Sequence, residues 1–336
     1  MTKTNSYKNF VINSIAKIYA FLININLYII SKDKNKYFYN HSLGFGDSFI
    51  FYLKNYNKIN KYNSFALSFG TPTMNSIKFF FSSNRVKKIL FQIPNRIYYR
   101  VVVKLVKHKY FKPKIYGSFS SQYQYNNSIY YRKLILKLLK RFKINKEIKK
   151  FRNEKYICIF IKHNNDDINN LNSSNSRQTA NLQPIKKIIL FLNKKKISTL
   201  VLGLNSDKSV GNLEKFVKKN KLEKSVYFLK NLSKKYSLQD QVFVAENSIG
   251  YIGSTSGPVS LFYFLRKKII IINCPKGEDI PLCKNKKNEK KFIRYLYKYT
   301  NKKKKIPIDD KVNSYKEKVY EVSFGEIKSK FVNFIN

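Results

Sequence analysis

A run of small hydroxyl residues between two glycines is the segment of this sequence whose residue types best suit ligand chemistry. The segment reads Gly253-Ser254-Thr255-Ser256-Gly257-Pro258 and lies between an apolar stretch predicted as a strand and one predicted as a helix. Pro258 suits the first turn of a helix, and free backbone N–H groups ahead of a helix attract phosphate. A capped helix without a ligand also fits. We favour a phosphate site because three consecutive hydroxyls exceed what capping needs.

A second glycine motif lies near the start of the chain and reads His41-Ser42-Leu43-Gly44-Phe45-Gly46-Asp47-Ser48. It separates a predicted strand, Tyr37–Leu43, from a predicted helix, Phe49–Lys58. The two glycines would let the backbone approach a ligand closely, and Asp47 would cap the helix. The third glycine of a dinucleotide-binding motif is absent. An ordinary capped turn and a ligand-binding loop both fit this pattern.

Further candidates follow predicted strands of the second half of the chain. Arg177 lies in a polar segment before a predicted helix, and only nine of the 67 cations are Arg. An Arg at such a place either binds a phosphate bidentately or is a solvated loop cation. The other candidates are Lys162 and His163, after the predicted strand Tyr156–Ile161, and Gly203 and Asn205, after the predicted strand Thr199–Gly203.

The elements that position these residues alternate between strand and helix in two blocks. The stretch from Lys143 to Glu154 is polar and charged, and it marks the predicted boundary between domains 1–150 and 151–336. Each block alternates as parallel α/β sheets do. The predicted fold is therefore α/β, with two Rossmann-like doubly wound domains facing a cleft, where the carboxyl ends of the strands bind ligands.

The two ends of the chain are predicted to be helical. Phe10–Ile30 has apolar residues at helical spacing but contains Lys17 and three Asn residues, so it is a poor membrane-spanning candidate. We expect it to pack on the first domain; lying on a membrane surface is the alternative. The tail is predicted as a Lys-rich loop up to Pro307, followed by a helix around Tyr315–Phe334.

Composition limits the classes of protein that fit. The 336 residues are 43% hydrophobic, which excludes wholesale disorder. Three Cys exclude a disulfide framework and fit a reduced, cytosolic compartment, and with only three His we expect no metal and no cofactor.

The cations outnumber the anions by far: 67 Lys and Arg against 19 Asp and Glu give a net charge of +48. The many Lys, Asn, Ile, Tyr and Phe residues have A/T-rich codons, so genomic drift explains much of the excess; a polyanion partner is the other explanation. No zinc-finger, helix-turn-helix or RNP motif occurs, so we expect no specific nucleic acid. The positive electrostatic field of this net charge should attract an anionic membrane surface, at about 1 kcal/mol per nearby Lys.

Three segments together resemble bacterial glycosyltransferases of the two-Rossmann (GT-B) architecture, distantly like the lipopolysaccharide heptosyltransferases. They are Gly44–Asp47, Ser174–Asn181 followed by Ile185–Gly203, and Gly253–Pro258. Heptosyltransferases usually place a His shortly after the last motif, where this chain has Val259-Ser260-Leu261. The resemblance therefore does not imply a particular sugar.

The resemblance implies an enzyme that moves a sugar from a nucleotide-diphosphate donor to a cell-surface glycan or lipid-linked acceptor. It implies Asp47 as the base on an acceptor-side first domain, and Arg177 with the loop at Ser254–Gly257 as donor-diphosphate contacts on the second. A single base with direct attack predicts inversion, without a metal. We expect a cytoplasmic protein, peripheral at the inner membrane face. A nucleic-acid-binding protein and an inactive scaffold derived from such enzymes are the alternatives.

Overall fold

The computed structural model divides the chain into two compact units, Met1–Ser120 and Ser121–Asn336. The division lies before the predicted boundary at residue 150. The residues that the structure describes are 3–30, 37–39, 45–54, 56–57, 65–69, 76–77, 80–81, 92–93, 100–101, 128–162, 181–204, 207–233, 236–255, 257–274, 291–305 and 319–335.

The first unit contains a parallel sheet and two long helices among its described residues. The order of the strands in the sheet is β1-β2-β3, and neighbouring strands are parallel. Aromatic side chains form a buried cluster in this unit, with the Phe49 and Phe81 ring centroids 5.4 Å apart. The elements are α1 (Lys3–Ile30), β1 (Tyr37–Tyr39), α2 (Phe45–Lys54), β2 (Phe65–Phe69) and β3 (Gln92–Ile93).

Helix α1 packs through small and polar residues. Ala16 and Ala20 are buried. The Arg100 guanidinium donates to the Asn9 carbonyl and side-chain oxygens at 3.2 and 2.9 Å and to the Asn13 side-chain oxygen at 3.2 Å. The helix thus packs on its unit as expected, but its apolar face is exposed. Apolar spacing shows that a helix has such a face but not what covers it.

The second unit is built on a six-stranded sheet in the order β6-β5-β4-β7-β8-β9, with all neighbouring strands parallel. The central strands are continuous apolar runs, as expected for strands covered on both faces. The sheet confirms the predicted α/β class. Its strands are β4 (Tyr156–Phe160), β5 (Ser198–Val201), β6 (Val226–Phe228), β7 (Gly250–Gly253), β8 (Lys268–Cys274) and β9 (Ile293–Tyr297).

Several helices of the second unit bury apolar stripes against this sheet. One example is α5, where Ile185, Ile188, Ile189 and Leu192 recur at helical spacing and are all buried. The helices are α3 (Ser128–Leu139), α4 (Lys146–Lys149), α5 (Gln183–Lys194), α6 (Lys208–Lys219), α7 (Leu229–Leu232), α8 (Leu238–Asn247), α9 (Val259–Phe264) and α10 (Phe324–Phe334). A 3₁₀ turn, Lys150–Arg152, precedes β4.

Helix α3 belongs to the second unit because its contacts are made there. The ring centroids of Tyr131 and Phe264 lie 5.6 Å apart, and Arg132 pairs with Glu246 at 2.7 Å. The polar stretch that marks the predicted boundary, Lys143–Glu154, instead contains α4 and the 3₁₀ turn, whose Phe151 is fully buried. Charged residues on the outside of short helical turns make this stretch look like a linker in the sequence.

The tail differs from its prediction. The predicted loop contains the edge strand β9, and two further short strands, β10 (Tyr299–Thr300) and β11 (Val319–Tyr320), pair antiparallel. The last helix begins at Phe324 rather than near Tyr315. Ser323 caps it, because the Ser323 hydroxyl accepts from the Glu326 N–H while the Glu326 carboxylate accepts from the Ser323 N–H. The lysines that flank β9 leave only a weak strand pattern in the sequence, so this strand was not predicted.

Candidate functional site

The strand order places two loops of the second unit side by side. Counted along this unit, β4 is the first strand and β7 the fourth, so the sheet has the order 3-2-1-4-5-6 of the dinucleotide-binding fold. The chain leaves β4 toward β5 on one side and leaves β7 toward β8 on the other. Ligands of open α/β sheets bind in the crevice at such a switch point, beyond the carboxyl ends of the strands. Here the described residues beyond those ends are Ile161, Lys162, Ser254, Thr255, Gly257 and Pro258.

Hydrogen bonds join these two loops directly. The Lys162 N–H donates to the Ser254 hydroxyl oxygen at 3.1 Å, and the Ser254 N–H donates to the Phe160 carbonyl at 3.0 Å. The Tyr251 hydroxyl donates to the Ser254 carbonyl at 3.0 Å. Ser254 is fully buried. Its hydroxyl therefore holds the ends of β4 and β7 together and shapes the loop that follows.

The rest of the hydroxyl-rich loop lies nearer to solvent. Thr255 is 8% exposed, and Gly257 and Pro258 are half-buried. Lys162 is half-buried as well, on the neighbouring strand end. Ser256 lies outside the described residues. The structure thus brings Lys162 and the described residues of this loop together, and their role as a donor-phosphate site stays a prediction.

Gly253 is required by the sheet itself. A Cβ at this position would overlap the Phe160 carbonyl oxygen and lie 2.5 Å from the Tyr251 hydroxyl oxygen. No larger residue fits without moving one of the two central strands. The close approach that this glycine allows is therefore between β4 and β7, at the base of the loop.

The end of β5 forms a second ordered turn beside β4. Gly203 has φ +123°, and a Cβ there would lie 2.7 Å from a Val210 methyl. The Gly203 N–H donates to the Tyr236 hydroxyl at 2.6 Å, and the Leu204 N–H donates to the Asp207 carboxylate at 2.5 Å. Burial raises the pKa of Tyr236, although the Gly203 hydrogen bond opposes this. Tyr236 thus stays a neutral hydroxyl that fixes the turn.

The first glycine motif is partly described. Helix α2 begins at Phe45 rather than at Phe49, so Gly46 and Asp47 belong to the first turn of the helix and not to the loop before it. Gly46 is buried. The backbone of Asp47 is described, and its role as a base stays a prediction.

Several candidates lie outside the described residues, so their predicted roles stay predictions. They are His41, Gly44, His163, Arg177, Asn205 and Ser256. Two residues that the sequence did not single out do support the site: Tyr251 and Tyr236, whose hydroxyls bond to loop backbone. A tyrosine within an apolar strand or a polar loop carries no pattern that identifies such a partner.

The described residues contain neither a metal-binding cluster nor a membrane-spanning helix. No group of three His, Cys, Asp or Glu side chains in the described ranges is placed to hold a metal ion. No described helix is long and apolar enough to cross a membrane.

Comparisons with known proteins define the class of fold. No protein-family model and no curated protein matches the chain. The solved structure of E. coli ADP-heptose lps heptosyltransferase II matches with a TM-score of 0.51 at 8% identity, covering 89% of this chain and 98% of that one. A glycosyl transferase family 9 structure from Veillonella parvula DSM 2008 matches with a TM-score of 0.52 at 9% identity, covering 90% and 97%. The predicted GT-B fold is confirmed, as is the distant resemblance at the level of the fold.

Proposed function

We propose that this protein is a glycosyltransferase whose second unit binds a nucleotide-diphosphate sugar at the carboxyl edge of its sheet. One observation carries the proposal: the strand order puts the hydroxyl-rich loop and Lys162 at the switch point, where folds of this type bind nucleotides. The two structural matches, both named as transferases, support the same class of activity.

The chemistry of the loop suits the diphosphate of the donor. When the bond to the sugar breaks, negative charge develops on the leaving nucleoside diphosphate. Backbone N–H groups and hydroxyls of residues 255–257 can hydrogen-bond to that charge, and Lys162 follows the end of the adjacent strand. Arg177 would add a bidentate phosphate contact. Gly203 and Asn205, after β5, would approach the nucleoside.

The first unit supplies the acceptor side of the proposed reaction. Asp47 would take the proton of the acceptor hydroxyl as that oxygen attacks the anomeric carbon. Direct attack breaks the bond to the diphosphate from the opposite side, so the configuration inverts. No metal is needed in this scheme, because the loop and the two cations bear the developing charge.

The acceptor is proposed to be a cell-surface glycan precursor or a lipid-linked glycan at the inner membrane face. The net charge of +48 supports this, because it attracts both phosphorylated acceptors and anionic lipid. A cytoplasmic protein held peripherally at the membrane fits such an acceptor.

Thermal unfolding with ADP, GDP, UDP and CDP tests donor binding. The E. coli match is named for ADP-heptose, so ADP is the first to be measured. A ligand at about 100 times its Kd stabilises the folded state by ~2.7 kcal/mol, which is a shift of several degrees in Tm. We expect one nucleoside diphosphate to raise the Tm of the wild type, and Thr255→Val to reduce that rise.

Thr300→Val is the matched control, since Thr300 is also buried but lies beyond β9. Its hydroxyl has no hydrogen-bond partner among the residues described, so its loss should leave the ligand-induced shift unchanged. Stabilisation by duplex DNA, with none by any nucleoside diphosphate, would favour the nucleic-acid-binding alternative and overturn the proposal. Binding of a donor that is never turned over would favour the inactive scaffold.

A further inference from the structure

Helix α1 carries an exposed apolar face that the proposed reaction does not use. Seven large apolar residues along it are between 37% and 70% exposed. Phe21, at 63%, and Ile18, at 58%, are near its centre. The full set is Phe10, Val11, Ile15, Ile18, Phe21, Leu22 and Ile25.

These residues form one continuous surface. At about 100° per residue, the seven side chains fall within an arc of about 140° around the helix. The residues that attach the helix to its unit, Asn9, Asn13, Ala16 and Ala20, fall on the opposite side. The helix is therefore held by one side and presents its apolar side to solvent. Exposed apolar surfaces of this kind mark interaction sites.

The charge of the same segment indicates what covers this surface. Residues 1–36 contain six Lys and one Asp, a net charge of +5, and Lys17 is exposed at the edge of the apolar arc. A helix with an apolar face and Lys beside it binds at the surface of an anionic bilayer. A second copy of the chain is the less suitable occupant, because two molecules of +48 repel each other.

We propose that helix α1 is the membrane-binding element of this protein and inserts its apolar face into the headgroup region of an anionic phospholipid bilayer. The helix lies in the plane of the interface, with Phe21 and Ile18 in contact with the acyl chains and the lysines at the phosphates. The inference rests on the proposed peripheral association with the membrane and gives it a location in the chain.

Co-sedimentation of the full chain with vesicles tests the inference. The vesicles are phosphatidylcholine, with or without about 30% phosphatidylglycerol as the anionic lipid. We expect binding to the anionic vesicles, and a fall of roughly tenfold or more in the partition coefficient of Ile18→Ser/Phe21→Ser. Both side chains are exposed, so the variant should fold.

The matched control changes two exposed apolar residues of the second unit. In Ile129→Ser/Val332→Ser the side chains are 56% and 44% exposed in the wild type, and we expect vesicle binding to be unchanged. Equal binding by the wild type and Ile18→Ser/Phe21→Ser would overturn the inference and leave the lysines as the sole cause of binding. A dimer that this variant dissociates would overturn it in favour of self-association.

A spectroscopic measurement reports insertion directly. The chain has no Trp, so Phe21→Trp places a single reporter on the apolar face. Its emission should shift to shorter wavelength when anionic vesicles are added, whereas that of Tyr320→Trp, exposed on the second unit, should not. An unshifted Phe21→Trp spectrum contradicts insertion. Vesicle binding needs no donor, so its failure and the failure of nucleoside diphosphate binding are separate results.

Discussion

Asp47 is the residue on which the proposed transfer step depends most. It lies in the first turn of α2, and among the residues singled out in the sequence it is the carboxylate proposed to act as a base. We expect Asp47→Asn to slow transfer by about 10²–10⁴-fold, because the amide cannot accept the acceptor proton. Donor binding, which involves the second unit, should be unchanged.

The rate is measured as release of the nucleoside diphosphate that binds in the thermal assay, with glycolipids extracted from cell envelopes as acceptors. Asp33→Asn removes the same charge from the same unit and should retain the wild-type rate. Transfer by Asp47→Asn at the wild-type rate would remove Asp47 from the mechanism while leaving the donor site as proposed.

At the scale of elements, a buried ion pair joins the strands of the tail to the sheet. Lys298, after β9, is 3% exposed, and its ammonium group lies 3.2 Å from a carboxylate oxygen of Glu321, after β11. The other Glu321 oxygen accepts from the Asn181 N–H at 3.0 Å, just before α5. One carboxylate thus connects three segments that are distant in sequence.

Glu321→Gln should lower the free energy of unfolding by up to about 3–5 kcal/mol, because it removes the negative charge that faces the buried Lys298 ammonium. Burial lowers the pKa of Lys298, and Glu321 opposes that. The folded state therefore releases the Lys298 proton at lower pH than the unfolded state does. Between the folded and unfolded pKa values the free energy of unfolding rises with pH, up to pH ~10.5. The deficit of Glu321→Gln should shrink as the pH rises, as measured by urea unfolding.

The double variant Lys298→Met/Glu321→Gln is the control, since it removes both charges and should recover much of the lost stability. A Glu321→Gln protein as stable as the wild type at pH 7 would show that the pair contributes nothing. A deficit that grows with pH would show that the sign of the Lys298 shift is wrong.

At the scale of the whole molecule, 67 cations far outnumber 19 anions. The excess positive charges repel one another in the compact state. Salt screens that repulsion, with a Debye length of about 10 Å at 0.1 M and ~3 Å at 1 M. We expect the Tm to rise between low and high NaCl; each recovered kcal/mol corresponds to about 2–4 °C. Because ionic strength is the cause, KCl should give the same rise, and a Tm that stays constant or falls would contradict the expectation.

Much of the second unit was predictable from sequence. Five of its six parallel strands and most of its helices follow apolar runs and periodic stripes, as in β4 and α5. The edge strand β9 was missed because only Ile293 and Leu296 of its five residues are buried, which leaves a weak pattern among lysines. The contacts of α3 with Phe264 and Glu246 were not predictable, since those residues are more than 100 positions away.

Some features of the candidate site were likewise predictable from the sequence, and others were not. The sequence alone determined that a hydroxyl-rich loop follows a buried strand, and that α1 has an apolar face, because periodicity and turn chemistry are local. Only the tertiary structure decided that this loop lies at the switch point beside Lys162, that the Ser254 hydroxyl bonds to the end of β4, and that the apolar face of α1 is exposed. Strand order, the choice of hydrogen-bond partner and burial all depend on contacts between residues far apart in the chain, which no local pattern contains.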